Sequence, residues 1–248
     1  MTPEEFFYHI FSSLPRQGPG CTGATQKAWS YIPSLPKNAQ VLDIGCGTGA
    51  QTRDLAELTS GTITAVDNYQ PFLDTVTARA QKNGIVERIR TVNASMDALP
   101  FKKGQFDLIW SEGAIYIMGF LEGLRAWKPL CRKGGHIVVS DIAWFAKNPP
   151  EDLIQFWEKE GCIPSSEDKK KEQVRKAGLR LIATYQLPEA GWWEHYYVPM
   201  LERIRDLKIT YGAYPEFGQI LSSCEHEVEV YQKYRQYYGY TFFVMQNG

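Results

Sequence analysis

Short apolar runs alternate along this chain with longer stretches in which apolar residues recur every three or four positions. The apolar runs are typical of buried strands and lie near residues 40–44, 62–66, 89–93, 106–110 and 135–140. The helix-like stretches lie near residues 49–58, 70–83 and 120–130, and a further helix and strand follow at 167–177 and 179–187. Strand and helix in repeated alternation predict an α/β fold with a parallel sheet, doubly wound by helices on both faces.

Three segments are too long to be simple connections between these elements. They are residues 1–37, 143–166 and 188–238, and all three are rich in aromatic side chains. In an open parallel sheet the ligand crevice lies beyond the carboxyl ends of the strands. We therefore expect the three segments to fold over that edge as a helical lid and to line a pocket for a second ligand.

The first predicted strand joins the first helix through three alternating glycines. The segment reads Asp43-Ile44-Gly45-Cys46-Gly47-Thr48-Gly49-Ala50. Glycine permits unusual backbone angles and lets a ligand approach closely, and the free N–H groups at the start of the following helix would point at that ligand. A pyrophosphate or the carboxylate of an amino-acid-like ligand would suit this turn.

Three acidic residues near the ends of successive strands narrow that choice. Asp43 lies two residues before the first glycine, where a carboxylate would crowd a pyrophosphate but could support a cationic amino group. Asp67 ends the second strand and is placed to bind both hydroxyls of a ribose. Asp97 follows the third strand, where it could accept a hydrogen bond from an adenine amino group while Met96 packs on the ring.

In these motifs the chain resembles the class I S-adenosylmethionine-dependent methyltransferases. The glycine loop, the acid ending strand two and Ser95-Met96-Asp97 stand in that family's order, and Ser111-Glu112-Gly113-Ala114 lies where the family has its catalytic loop. The closing run 240–245 resembles the family's last, antiparallel strand. The resemblance covers residues 38–187 and 239–248 and implies a Rossmann-like, seven-stranded, mostly parallel sheet.

Among the subgroups, the chain is most similar to small-molecule methyltransferases of the ubiquinone and menaquinone biosynthesis type. It also has the segment Arg16-Gln17-Gly18-Pro19-Gly20, which is found in bacterial members. It lacks the Asn/Asp-Pro-Pro-aromatic sequence of the DNA amino-methylating enzymes, so we do not expect base methylation. The resemblance implies methyl transfer from S-adenosyl-L-methionine to a small apolar or aromatic acceptor, with S-adenosyl-L-homocysteine as product.

The resemblance also implies roles for particular residues. The expected cofactor-binding residues are Arg16, Asp43, Gly45, Gly47, Thr48, Gly49, Gln51, Asp67, Asn68, Ser95, Met96, Asp97 and Ser111. The residues themselves suggest further sites: Glu112 and Tyr116 follow strand four and are candidate catalytic residues, and His195 is a third because four aromatic rings surround it in sequence within 188–238. The expected acceptor-pocket residues are Tyr116, Trp144, Trp193 and Tyr197. Each has a structural alternative: Glu112 could bond to Arg16 or nearby backbone, and the rings could simply attach the lid to the sheet.

The composition mainly argues against certain classes of partner, site and location. The 27 basic and 28 acidic side chains leave a net charge of −1, so no global basic field favours nucleic acid. The 5 cysteines and 4 histidines show no ligand or redox spacing, so we expect no metal site and a reducing, cytoplasmic location. The N-terminal segment is acidic with only a short apolar stretch, so we expect neither a secretory signal nor integral membrane association. A homodimer is left open.

Two other functions remain open on the sequence alone. An NAD(P)-dependent oxidoreductase would share the glycine loop and the acid after strand two, although it requires neither Asp43 nor the Ser95-Met96-Asp97 segment. A non-catalytic S-adenosylmethionine-binding protein could share the whole fold. The acceptor atom, whether carbon, oxygen or nitrogen, also stays open, because a sulfonium supplies the driving force and no strong base is required.

Overall fold

One mixed β-sheet runs through the centre of the computed structural model, which describes residues 1–248. Its strands are β1 (Gln40–Ile44), β2 (Thr62–Asp67), β3 (Ile89–Asn93), β4 (Phe106–Glu112), β5 (Cys131–Trp144), β6 (Ser165–Ser166), β7 (Leu179–Gln186) and β8 (Tyr238–Asn247). The order across the sheet is β3-β2-β1-β4-β5-β8-β7, and β6 pairs with β5. Pairing is parallel from β3 to β5, whereas β8 is antiparallel to both of its neighbours.

Helices cover the sheet and extend beyond its edge. They are α1 (Pro3–Ser12), α2 (Thr22–Trp29), α3 (Ala50–Leu58), α4 (Gln70–Lys82), α5 (Phe120–Trp127), α6 (Glu151–Lys159), α7 (Glu167–Lys176), α8 (Glu189–Trp192), α9 (Val198–Tyr211) and α10 (Pro215–Tyr234). A π-helical turn at Trp193–Tyr197 joins α8 to α9. None of these helices combines the length and apolar content that a membrane crossing needs.

Alternate strand residues belong to two apolar layers, one on each face of the sheet. Val41 and Leu108 lie in the larger layer and Leu42 and Ile109 in the smaller, and all four side chains are fully buried. Burial on both faces explains why the strands are continuous apolar runs rather than alternating ones. The larger layer also contains residues of α1, α9 and α10, so these helices share one core with the sheet.

The predicted doubly wound, mostly parallel sheet with an antiparallel last strand is confirmed. The sheet has eight strands rather than seven, because Ser165–Ser166 pairs with the end of β5. The fifth strand is also longer than the predicted 135–140, since β8 pairs with it as far as Trp144. The sequence pattern cannot show this extension, which depends on a partner strand about a hundred residues further along the chain.

The N-terminal helix α1 is attached to two distant parts of the chain. Thr2 and Glu5 form a reciprocal capping box at its start. The Phe6 ring stacks on Phe217 of α10 with centroids 4.4 Å apart, and the Tyr8 ring stacks on Tyr69 with centroids 4.0 Å apart. Helix α1 therefore bridges the inserted helices and the loop that follows β2.

Candidate functional site

The glycine loop after β1 has a backbone that other residues would strain. Gly45, Gly47 and Gly49 have φ angles of 69°, 54° and 85°, in the left-handed region that favours glycine. A Cβ at Gly45 would lie 2.6 Å from the Cβ of Ala114, in the loop after β4. The loop therefore needs glycine both for its backbone angles and for its close approach to a neighbouring strand end.

Hydrogen bonds tie this loop to β2 and to the N-terminal segment. The Gly45 and Cys46 N–H groups donate to the Val66 carbonyl at 2.9 and 3.0 Å. The Gly47 N–H donates to Asp67 Oδ2 at 2.9 Å, and the Thr48 N–H donates to Gln17 Oε1 at 2.7 Å. The predicted residues Asp67 and Thr48 thus hold the shape of the loop as well as lying beside it.

Asp43 lies fully buried beneath the loop. Its carboxyl accepts hydrogen bonds from Thr52 Oγ1 at 2.6 Å and Gln51 Nε2 at 3.3 Å, but it has no ion-pair partner. Burial raises the pKa of Asp43 to about 7, and the hydrogen bond from Thr52 opposes that rise. A cation bound beside the loop would favour the ionised carboxylate.

A cavity of about 430 Å³ opens between this loop, the end of β2 and the N-terminal segment, and we call it the glycine-loop cavity. The predicted cofactor-binding residues that line it are Arg16, Gly45, Gly47, Gln51, Asp67, Asn68, Ser95 and Met96. Burial also raises the pKa of Asp67, while N–H groups of Tyr69 and Gly47 donate to its carboxylate and lower it. One pocket thus gathers residues from four separate stretches of sequence.

Five of the predicted cofactor-binding residues do not line this cavity. Asp43 lies beneath the loop, and Thr48 forms hydrogen bonds with Gln17 and Arg79. Gly49 directly precedes α3 and lies close to Val76 of α4. Asp97 is exposed, and the Ser111 hydroxyl is buried without a hydrogen-bond partner. The preceding residues Ser95 and Met96 line the cavity, and a role for Asp97 in binding adenine stays a prediction.

Glu112, at the end of β4, has both carboxylate oxygens occupied. One oxygen accepts from Thr25 Oγ1 at 2.7 Å and from Trp110 Nε1 at 2.9 Å, and the other pairs with Arg16. Arg16 is itself buried and lies 3.7 Å from Asp54 Oδ2. This geometry favours the structural alternative for Glu112, which attaches the N-terminal segment to the sheet.

A second cavity of about 470 Å³ adjoins the first, and we call it the aromatic cavity. The residues that line both cavities are Phe7, Tyr8, Gln17, Gly18, Pro19, Phe72 and Gly113. The rings that line only the aromatic cavity are Phe11, Tyr116, Phe156, Trp157, Trp192, Tyr196 and Tyr240. Tyr116 is thus brought to the pocket as predicted, and burial raises its pKa to about 12.

Glu227 of α10 also lines the aromatic cavity, and sequence reasoning missed it. Its Oε1 accepts a hydrogen bond from the Tyr197 hydroxyl at 3.0 Å. Burial raises the pKa of Glu227 to about 7; the Tyr197 hydrogen bond lowers it and Glu160 raises it further. Glu227 follows Ile220 and Cys224 at helical spacing, and all three line the cavity, but the sequence alone does not show that this face of the helix meets a cavity.

Four predicted pocket or catalytic residues line neither cavity. His195 is exposed, Trp193 is half-buried, and Trp144 meets Tyr238 edge-on with centroids 6.3 Å apart. The π-helical turn explains the first two, since it directs Tyr196 into the aromatic cavity and leaves His195 in solvent. Tyr197 lies behind the wall, where it supports Glu227 rather than lining the pocket.

The chain is similar to known methyltransferases. Residues 41–135 match the family model described as a methyltransferase domain. Methyltransferase GfsG of Streptomyces halstedii is 26% identical over 60% of this chain and 56% of its own length. The 2-methyl-6-phytyl-1,4-hydroquinone methyltransferase of Synechocystis sp. is 30% identical over 53% of this chain and 40% of its own length. The chain thus spans about half or less of the curated relatives it matches.

A solved structure has the same architecture over nearly the whole chain. It is an S-adenosylmethionine-dependent methyltransferase from Geobacter sulfurreducens in complex with S-adenosyl-L-homocysteine. The TM-score is 0.84 with 17% identity, and 98% of each chain is covered. At this identity the likeness concerns the fold, which is the Rossmann-like arrangement described above.

Proposed function

This chain carries a Rossmann-like methyltransferase domain, and we propose that it transfers a methyl group from S-adenosyl-L-methionine to a small organic acceptor. The observation that carries the proposal is the pair of adjoining cavities at the carboxyl ends of the strands. One is built from a glycine loop and strand-end polar groups, and the other from aromatic rings. A transferase that must bring two molecules together needs two such compartments with a common boundary.

Two features of the glycine-loop cavity fit S-adenosylmethionine. Gly45 and Gly47 line the cavity without a side chain, so a ligand can lie directly against the main chain. Asp43 is a buried carboxyl without an ion-pair partner, which suits a ligand with a cationic amino group nearby. When bound, S-adenosylmethionine supplies an activated methyl group on a positively charged sulfur.

We assign the residues of this cavity by the chemistry each can offer. Asp67 would bind the ribose hydroxyls through its carboxylate, and Met96 would pack on the adenine. Arg16 and Gln17 hold the N-terminal segment against the loop, which keeps water from the bound ligand. Asp43 would orient the amino-acid end of the ligand from below the loop.

The aromatic cavity is the proposed acceptor site. Its wall comes from three separate inserted segments, represented by Phe7, Trp157 and Glu227. We propose that residues 38–187 and 239–248 hold the cofactor while 1–37, 143–166 and 188–238 close over the acceptor. The rings favour a small apolar or aromatic acceptor, and a hydroquinone methyltransferase among the relatives supports that choice.

Titration calorimetry tests the cofactor assignment directly. The protein should bind S-adenosylmethionine and S-adenosylhomocysteine and should not bind NAD. A screen with methyl-labelled S-adenosylmethionine against quinols, phenols and amines then tests turnover. Binding of NAD with no response to either S-adenosyl compound would contradict the proposal and favour an oxidoreductase. Binding of the S-adenosyl compounds without transfer to any acceptor would favour a non-catalytic binding protein.

A further inference from the structure

The charges of the aromatic cavity are all of one sign. Two carboxylates line it, Glu160 and Glu227, and no lysine, arginine or histidine does. Glu160 follows the end of α6 and is exposed, so water screens its charge. Glu227 is half-buried among rings, where a carboxylate has little water to solvate it.

No group of the protein compensates the charge of Glu227. Its hydrogen-bond donor is the neutral hydroxyl of Tyr197, and no basic side chain forms an ion pair with it. The nearest charged influence is Glu160, which has the same sign. A carboxylate held this way is costly unless a cation joins it, and such uncompensated groups mark functional sites more often than structural ones.

The surrounding rings would also attract a cation. Tyr116, Trp157, Trp192, Tyr196 and Tyr240 line the same cavity, and aromatic faces carry negative charge density that stabilises ammonium groups within about 6 Å. Aromatic walls with one carboxylate are a common way to bind organic cations. An anionic ligand would find two carboxylates and no cationic side chain here.

We propose that the methyl acceptor carries a basic nitrogen, which enters the aromatic cavity as a cation and pairs with Glu227. The inference rests on the proposed function and narrows its acceptor class: the rings hold the apolar or aromatic part of the acceptor, and Glu227 holds its basic nitrogen. Tyr197 is the positioning residue, because its hydroxyl holds one oxygen of Glu227 and leaves the other to the ligand. Acceptors that present a carboxylate or phosphate to this wall are excluded, since no cationic side chain would receive them.

Acceptor binding should depend on pH in a specific direction. Glu227 has a pKa raised to about 7 in the empty cavity, and the groups that face it are Tyr197, Glu160 and the tyrosines of the wall. A cation binds the ionised carboxylate, so affinity should rise as pH increases through 7 and level off above it. Binding at pH 7 should release protons, because the bound cation lowers the pKa of Glu227.

Three indole probes of similar size separate the alternatives. Tryptamine is cationic, tryptophol is neutral, and indole-3-propionate is anionic. Calorimetry with each probe, on protein saturated with S-adenosylhomocysteine, should give binding in the order tryptamine, tryptophol, indole-3-propionate. Tryptamine should bind about tenfold or more tightly than tryptophol, the scale expected for a partly buried charge pair.

Two variants on the same helix complete the test. Glu227→Gln keeps the shape of the side chain and removes its charge, and it should cancel the preference for tryptamine and the pH dependence. Glu229→Gln makes the same change at an exposed position beside His226 and should leave both unchanged. Equal binding of the three probes, no tryptamine binding at millimolar concentration, or an unaltered preference in Glu227→Gln would each overturn the inference.

The result also separates this inference from the proposed function. Binding of S-adenosylhomocysteine is measured first and involves the glycine-loop cavity. If that ligand binds and tryptamine shows no preference, the substrate class is wrong and the methyltransferase proposal stands. If S-adenosylhomocysteine does not bind, the proposed function fails, and tryptamine selectivity measured on the free protein still decides whether Glu227 recognises cations.

Discussion

The two cavities are built from different parts of the chain in different ways. The glycine-loop cavity is formed mainly by main chain and polar side chains at the ends of β1, β2 and β4 and after β3, and the N-terminal segment closes one side of it. The aromatic cavity is formed by side chains of α1, α6 and α10 and the π-helical turn, which lie far apart in sequence. The first depends on backbone geometry and the second on packing between inserted helices.

This difference indicates which cavity could be shared by many related chains and which depends on the inserted helices of this one. A ligand held by backbone groups and strand-end carboxylates can be bound in the same way by chains with different lids. The inserted helices can change their rings and charges without disturbing the sheet, because only their inner faces share its core. Substitutions outside the shared boundary of the two cavities should therefore affect one cavity with little effect on the other, which can be tested residue by residue.

The largest effect is expected from Gly45→Val. The new Cβ would lie 2.6 Å from the Cβ of Ala114. The backbone at residue 45 also has a φ of 69°, which is strongly disfavoured for β-branched residues. The loop must move, and we expect affinity for S-adenosylhomocysteine to fall by more than about a hundredfold, as measured by calorimetry. Tryptamine binding to the free protein should persist, because Gly45 does not line the aromatic cavity.

Gly134→Val is the matched control for backbone strain. Gly134 has a φ of 77°, but no atom lies within 4 Å of the position of its added Cβ. The Gly134→Val variant should have a lower free energy of unfolding than the parent protein but the same affinity for S-adenosylhomocysteine. If both variants bound S-adenosylhomocysteine like the parent protein, the glycine loop would not be the binding surface.

Asp67→Asn should have the next largest effect. The substitution keeps one oxygen to accept from the Gly47 N–H but removes the charge and the second oxygen, which accepts from the Tyr69 N–H and would also receive a ribose hydroxyl. Charge-assisted hydrogen bonds contribute about 1.5–3 kcal/mol, so affinity should fall about tenfold to a hundredfold. Asp74→Asn, at an exposed position on α4, should have no effect in the same titration. A parent-like affinity of Asp67→Asn would remove the ribose assignment.

The cofactor side of the comparison could be predicted from sequence because its determinants are local. Gly45, Gly47 and Asp67 sit within or directly after strands that their apolar runs reveal. The rule that ligands bind beyond the carboxyl ends of parallel strands then brings them together. Asp97 shows the limit of this reasoning. It directly follows Met96 in the same loop, but Met96 lines the cavity and Asp97 is exposed.

The acceptor side could not be predicted because it depends on packing between segments. Glu227 meets the cavity only after α10 packs against α1 and α9, and the nearby ring of Trp157 comes from a separate insertion. Local pattern placed His195 in the wall because four rings surround it in sequence. The extra residue in the π-helical turn changes which side chains face inward, and no periodicity of the sequence reveals that turn.

Asp43→Asn should reveal a conflict between stability and binding. The pKa of Asp43 rises from an ordinary 3.8 to about 7 on folding, so the folded protein loses stability as pH rises between about 4 and 7. Asparagine does not ionise, so the variant does not lose stability in this way as pH rises. Without ligand, the variant should be about 2–4 kcal/mol more stable than the parent at pH 8 and nearly equal to it at pH 4. Urea unfolding at the two pH values measures this difference.

The same variant should bind S-adenosylmethionine less tightly, since the carboxylate beneath the loop no longer supports a cationic amino group. The neutral residue can still accept from Thr52, so the fold should persist. Glu227 also has a raised pKa, but it is present in both proteins and cancels in the comparison. A stability difference that does not change with pH would show that folding does not raise the pKa of Asp43.

The smallest effect is expected from His195→Gln. The imidazole is exposed and lines neither cavity, so it has no path to a proton on a bound acceptor. Once an acceptor is known, kcat/KM should change by less than about twofold, within the range of ordinary surface substitutions. The pH–rate profile should also keep its shape. Loss of a limb of that profile near neutral pH in His195→Gln would instead identify His195 as the proton acceptor and contradict its position outside both cavities.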